Sequence, residues 1–142
     1  MSLRLIHGRA VVAGEAAGEA LVSSEPLSFW GGYDYRTGEI IDRRHPLSGQ
    51  CSAGRVLVLP STCGSSTTTA VLLEAVKART APAAILTTAS DSFLALASIV
   101  ADEMYGQPIP IVTLSEPDFT TLRSGDHLKI HADGTVERTT QD

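Results

Sequence analysis

The chain has 142 residues, a formal net charge of −5, 43% hydrophobic and 19% charged residues. The length suits one domain over residues 1–142, and the composition is globular rather than disordered. The negative balance, with no basic run beyond Arg43-Arg44, excludes a general affinity for nucleic acid or anionic membrane surfaces.

In chain order, Leu3 to Val22 alternates short apolar runs with Gly8, Gly14 and Gly18, which predicts short strands separated by turns or bulges. Ser23 to Gln50 is polar and rich in glycine, proline and aspartate, with Phe29, Trp30, Tyr33 and Tyr35 close together. A stretch of this kind reads as a functional loop or as an element that the pattern hides, with Ile40-Ile41 able to supply a short strand. Arg55 to Leu59 is a continuous apolar run closed by Pro60, as a buried strand would be. After a short loop and a hydroxyl-rich run, Ala70 to Arg79 predicts a helix with Leu72, Ala75 and Val76 inward and Glu74 and Lys77 outward, stopped by Pro82.

Ala83 to Leu86 predicts a second buried strand. Asp91 or Ser92 can cap a second helix on which Phe93, Leu96, Val100 and Met104 recur at helical spacing. Ile109 to Thr113 predicts a third strand, Pro117 to Leu122 a short helix, and His127–His131 with Thr135–Arg138 a hairpin around Asp133-Gly134. Residues Thr139 to Asp142 are expected to fray. Strand–helix alternation in the second half points to parallel pairing in an α/β layer, with a strand-rich first half beside it.

No apolar run reaches the roughly 18–20 residues that span a bilayer, and the opening MSLRLIHGRAVVAGEA lacks a secretory apolar region. Cys51 and Cys63 are too few for a disulfide scaffold, which predicts reduced thiols in a cytoplasmic protein. His7, His45, His127 and His131 share no ligand spacing with the cysteines, and the chain is expected to hold no metal by itself.

The strongest chemical signal is the run Cys63-Gly64-Ser65-Ser66-Thr67-Thr68-Thr69 between a strand and a helix. The first turn of such a helix presents unsatisfied N–H groups and the positive end of its dipole, which attract an anion and would stabilise a serine alkoxide. Gly64 allows close approach of a ligand. Plain helix capping by serine and threonine is the simpler reading of the same run. No Gly-Lys-Ser/Thr closes a phosphate loop and no Gly-x-Ser-x-Gly elbow is present. A second candidate is Phe29-Trp30-Gly31-Gly32-Tyr33-Asp34, where adjacent glycines beside aromatics can cradle or cover a ligand. Asp42, Arg43, Arg44 and His45 add charge nearby, for a polar substrate or an interface.

These residues resemble the small subunit, or swivelling domain, of the aconitase X dehydratases. The resemblance rests on Gly8-Arg9 with Gly14 and Gly18, on ALVSSEPLSFWGGYD followed by TGEIIDRRHPLSG, on GRVLVLP, and on CGSSTTTAVLLEA followed by APAAIL. It implies an α/β swivelling β/β/α domain like domain 4 of aconitase. It also implies a large partner subunit whose iron–sulfur cluster grips the substrate hydroxyl, with Ser65 as the catalytic base. Ser66, Thr67 and Gly64 would bind a small hydroxy-acid substrate, with Gly31, Gly32, Trp30, Asp42 and His45 contributing. Archaeal members read Gly-Ser-Thr where this chain has Gly64-Ser65-Ser66, and the composition lacks a hyperthermophile's Lys/Glu bias. The expected substrate is therefore cis-3-hydroxy-L-proline, with mevalonate 5-phosphate as the alternative. A carboxylate-binding module without catalysis is the alternative from another class.

Overall fold

The structure is a computed structural model and describes residues 2–63 and 66–140. Its strands are β1 (Ser2–His7), β2 (Arg9–Val12), β3 (Ala16–Val22), β4 (Val56–Val58), β5 (Ala84–Thr87), β6 (Ile111–Thr113), β7 (His127–Ile130) and β8 (Thr135–Thr140). They form one sheet in the order β1-β8-β7-β3-β4-β5-β6-β2. The two ends of that order, β1 and β2, are consecutive in the chain with Gly8 alone between them. The sheet is therefore bent round until it is nearly a closed barrel, which removes the exposed edges an open sheet would present.

Glycine permits that closure. The Gly8 N–H donates to the Gly134 carbonyl at 3.1 Å. A Cβ on Gly8 would lie 2.4 Å from Val112 Cγ1 and 3.0 Å from the Gly134 oxygen. Gly134, at φ +93°, faces the same crowding from the other side, since its Cβ would lie 2.7 Å from the Gly8 oxygen.

β3 joins the two halves of the sheet. Ala16 to Glu19 pair antiparallel with β7, and Ala20 to Val22 pair parallel with β4. β4, β5 and β6 continue the parallel set, so each return needs a crossover. The crossovers are the helices α2 (Ser66–Ala78) and α3 (Ser92–Tyr105). Strand alternation then divides the core in two. Val56, Val58, Ala84, Leu86 and Val112 point into the barrel with Ile6, Leu128, Ile130 and Val136. Leu57, Leu59, Ile85 and Ile111 point the other way, into a layer with Leu72, Ala75, Leu94 and Ala97 of the helices. Two short elements complete the chain: α1 (Phe29–Gly32) and α4 (Glu116–Phe119). Among the described residues no helix is long and apolar enough to cross a membrane.

Four expectations need correction. The apolar residues read at helical spacing on α3 do not mark its buried face: Leu96 and Met104 are 49% and 61% exposed. The helix instead buries Leu94, Ala97, Ser98 and Ala101, because small residues let it lie close to its neighbours. Ser98 Oγ both donates to the Ile109 carbonyl at 2.6 Å and accepts its N–H at 2.8 Å. Thr139 and Thr140 do not fray, because they pair with Leu3 and Ser2. Pairing at Ile40-Ile41 is limited to one isolated bridge, Tyr33 with Ile40. Helix α2 begins at Ser66 rather than Ala70, so Ser66 to Thr69 are its first turn.

The ends of α2 and α3 show how local chemistry stops a helix. After α3, Gly106 takes the left-handed conformation at φ +63°, the usual choice at this position. After α2 the same place is held by Arg79, also at φ +63°. Its N–H donates to Val76 O at 3.1 Å, and the Thr80 N–H donates to Ala75 O at 2.8 Å, the double bond of a Schellman cap.

Two stability measurements check this account. Gly8→Ala is expected to lower the unfolding free energy by about 1–3 kcal/mol through overpacking at the barrel seam. Arg79→Gly is expected to raise it by about 0.5–1 kcal/mol, as relief from the left-handed penalty exceeds glycine's entropic cost. Urea unfolding of each variant reads both.

Candidate active site

The parallel strands deliver their loops to one end of the sheet, and side chains tie these loops together. Asp91 caps α3, its Oδ1 accepting from Phe93 N–H at 2.9 Å and Leu94 N–H at 3.2 Å. Its Oδ2 accepts a short hydrogen bond from the hydroxyl of Thr62, in the loop after β4. Thr88 donates twice to the Pro60 carbonyl, from its N–H at 3.2 Å and from Oγ1 at 3.0 Å. Thr69 Oγ1, in the first turns of α2, donates to the Phe93 carbonyl at 2.9 Å. The segment entering α2 is thus held against the segment entering α3.

A third strip of chain lies alongside. Leu27 bridges Thr62 in parallel register, and the Cys63 N–H donates to the Leu27 carbonyl at 3.0 Å. Leu27 leads directly into α1, which is less a helix than a turn. Trp30 sits at φ −73°, ψ 115° and Gly31 at φ 77°, ψ −10°, the angles of a type II β-turn, which needs glycine at its third position. Phe29 and Gly32 are buried on either side, and Trp30 is 68% exposed between them.

Ser66 is exposed at the start of α2, followed by half-buried Thr67. The first turn of α2 contains no acidic residue of its own, and its N–H groups attract an anion, with the Asp91 carboxylate held nearby by Thr62. Gly64 and Ser65, the expected ligand-approach position and base, lie outside the described residues. Gly32 adjoins Asp42, whose Cβ lies 3.7 Å from where a Gly32 Cβ would stand. The Ile41 N–H donates to the Gly32 carbonyl at 2.9 Å. Asp42 Oδ1 accepts from the Arg44 N–H at 3.0 Å, opening the turn that carries His45. His45 is 7% exposed; its Nδ1 accepts from the Leu47 N–H at 3.1 Å and its Nε2 lies 3.1 Å from the Pro26 carbonyl. These contacts tie the imidazole to the main chain of its own loop and of Pro26. The α1 turn, with Trp30, Gly31 and Gly32, packs against α2, which opens with Ser66 and Thr67, and Asp42 lies beside Gly32.

The sequence did not signal the network that fixes this loop from below. Tyr33 Oη donates to the Thr80 carbonyl at 2.6 Å and accepts from Ser52 Oγ at 2.9 Å. Thr80 Oγ1 donates in turn to the Tyr35 carbonyl at 2.5 Å. Burial pushes the Tyr33 phenol well above its ordinary value of 10.0, outweighing the Ser52 hydrogen bond, which lowers it. Cys51 and Cys63 are both exposed thiols. Among the described residues there is no group of three or more His, Cys, Asp or Glu able to hold a metal ion, so these residues do not form a cradle for an iron–sulfur cluster.

Comparison with known proteins bears on this site. The sequence model of the aconitase X swivel domain matches residues 5–138. A Pseudomonas aeruginosa protein named cis-3-hydroxy-L-proline dehydratase is 51% identical over 79% of the chain, and the match occupies 19% of that protein. The chain thus spans about a fifth of that relative's length. The phosphomevalonate dehydratase small subunit of Methanosarcina mazei is 34% identical over 92% of this chain and 88% of its own. In three dimensions, the holo-form crystal structure of Thermococcus kodakaraensis aconitase X has a chain that aligns with a TM-score of 0.85 at 34% identity, over 96% of this chain and 99% of that one.

The raised phenol gives a pH test. The unfolded chain loses the Tyr33 proton above pH 10 and the folded chain does not, so stability present below pH 10 declines as pH rises beyond it. Tyr33→Phe is expected to cost about 1–2 kcal/mol at pH 7, through the lost hydrogen bonds. It should also flatten the alkaline decline between about pH 10 and 11.5 relative to the parent. Denaturant midpoints measured across that range read both effects.

Proposed function

The chain belongs to the aconitase X swivel-domain family, and on that footing we propose that it is the small subunit of a hydro-lyase that dehydrates cis-3-hydroxy-L-proline. The observation that carries the substrate is the 51% identity to the Pseudomonas protein of that name, against 34–40% for the phosphomevalonate dehydratase small subunits. The fold class itself, a swivel-domain α/β fold with a nearly closed barrel, rests on the family match and the aligned crystal structure.

Ser65 is the proposed base. It precedes Ser66, the first residue of the 13-residue helix α2, and follows Cys63, whose N–H is tied to Leu27. At a helix start the macrodipole favours negative charge, which lowers the cost of forming an alkoxide. The substrate carboxylate would take hydrogen bonds from the first-turn amides and from the hydroxyls of Ser66 and Thr67, with Gly31-Gly32 approaching from the neighbouring turn. The alkoxide then removes the proton from the carbon beside that carboxylate. The electron pair of the broken C–H bond becomes the new C=C bond as the hydroxyl departs, leaving an enamine acid that rearranges to a cyclic imine. Activation of the departing hydroxyl falls to groups outside this chain. We place the iron–sulfur cluster of the holoenzyme on the large subunit, since the described residues here offer it no cradle.

Mevalonate 5-phosphate dehydration is the second reading. It is favoured by the match over 88% of the Methanosarcina mazei small subunit, whereas the Pseudomonas match is one segment of a longer chain.

The test is Ser65→Ala in the complex with the large subunit. A loss of about 10²–10⁴ in kcat, with little change in substrate affinity, is expected of a general base. A variant that turned over cis-3-hydroxy-L-proline at the parent rate would refute the assignment. Substrate binding without turnover by the parent complex would favour a carboxylate-binding module instead.

A further inference from the structure

We infer that the Trp30 turn and the groove beside it form the docking surface for the large aconitase X subunit, with Trp30 as the anchoring side chain. The inference rests on the function proposed above. Trp30 is the sole tryptophan of the chain and is 68% exposed. It is not on a loose loop. The type II turn that presents it is clamped by buried Phe29 and Gly32, and the Phe29 and Tyr33 rings pack at a tilt with centroids 5.1 Å apart. The Ser28 hydroxyl donates to the Trp30 carbonyl at 3.1 Å. A turn whose backbone is already fixed loses little entropy on binding, and tryptophan is among the residues enriched at the positions that dominate interface energy.

Beside it lies a groove of about 470 Å³ whose walls include Tyr35, Ile41 and Val71. Ile41 is 43% exposed and Tyr35 37%. The Arg36 guanidinium lies 5.7 Å from the Tyr35 ring centroid, and with Asp34 it gives the apolar centre a polar margin of both signs, as interfaces favour. Two other apolar exposures exist among the described residues, Leu96 with Ile99 and Met104 on α3, and Leu3 with Leu5 on β1. The Trp30 groove differs from both by its continuity with the candidate site. Val71 is on α2 one turn beyond Thr67, and the turn itself is tied to Thr62 and Cys63 through Leu27. The occupant follows from the relative's length: in the Pseudomonas protein the matched domain is 19% of the chain, so most of that protein lies outside it and must meet this domain somewhere. A site shared between the two bodies requires that meeting at the loop end of the parallel strands.

The experiment labels the chain with 5-fluorotryptophan, which puts a single ¹⁹F resonance at Trp30, and titrates it with the unlabelled large subunit. The resonance is expected to shift, and Trp30→Ala to weaken the Kd at least tenfold. Leu96→Ser on α3 should change it less than about twofold, the usual range for residues outside an interface. A complex that forms with the resonance unmoved, or that binds Trp30→Ala like the parent, overturns the docking surface. If turnover in that complex still depends on Ser65, the proposed function stands without it. If the parent chain does not associate with the large subunit at all, the proposed function fails and the surface with it.

Discussion

Two main chains meet at Gly8 and Gly134 more closely than any side chain would allow, and the rest of the molecule depends on that contact. The strand leaving β1 has to cross from β8 to β6 within one residue, Gly8. A Cβ there would overlap Val112, and one on Gly134 would overlap the Gly8 carbonyl. With the seam closed, β2 covers β6, and the barrel interior from Ile6 to Val136 is sealed from water. With it open, β6 would become an edge and the parallel strands behind it would lose their outer support.

From the barrel the argument runs outward to the loops. β4 and β5 have buried residues on both faces, as parallel strands between a barrel and a helix layer should. Their orientation sends the segments before α2 and α3 to the same end of the sheet. Asp91 then does two jobs, capping one helix and gripping Thr62 before the other. The effect is a helix start without first-turn acidic charge, positioned by neutral and capping contacts rather than by an ion pair. Such a place suits an anionic substrate and an oxyanion-forming base. The tyrosine network beneath the Trp30 turn supplies rigidity in the same way, through a buried phenol held between Ser52 and Thr80.

Much of this was legible in the residues, and the exceptions have physical causes. The three parallel strands were read from short apolar runs, the α3 cap as Asp91 or Ser92 from position (the structure selects Asp91), and the hairpin turn from Asp133-Gly134, each a local signal. α3 was misread because apolar spacing marks two faces on a helix of mean apolar character, and only the close neighbour at Ile109 selects the small face of Ala97, Ser98 and Ala101. The long segment from Ser23 to Gln50 read as a loop because its order comes from distant partners. Tyr33 reaches Thr80, and Leu27 reaches Ser61 and Cys63, and no window of sequence contains both members of such pairs. His45 was read as charge for a polar substrate or an interface, and its burial and main-chain contacts come from Leu47 and the distant Pro26. The hydroxyl run was recognised as a helix start, and the structure extends α2 back to Ser66.

On the function proposed here, a small domain that presents one helix terminus and one rigid aromatic turn supplies half of a site, and a second body completes its chemistry. That dependence is the central claim, and a titration tests it directly: a fixed amount of cluster-loaded large subunit receives increasing amounts of this chain while dehydration of cis-3-hydroxy-L-proline is followed. The account predicts turnover that is negligible without the chain, rises with it and saturates at one chain per large subunit. Full turnover by the large subunit alone, unchanged by adding the chain, would contradict it.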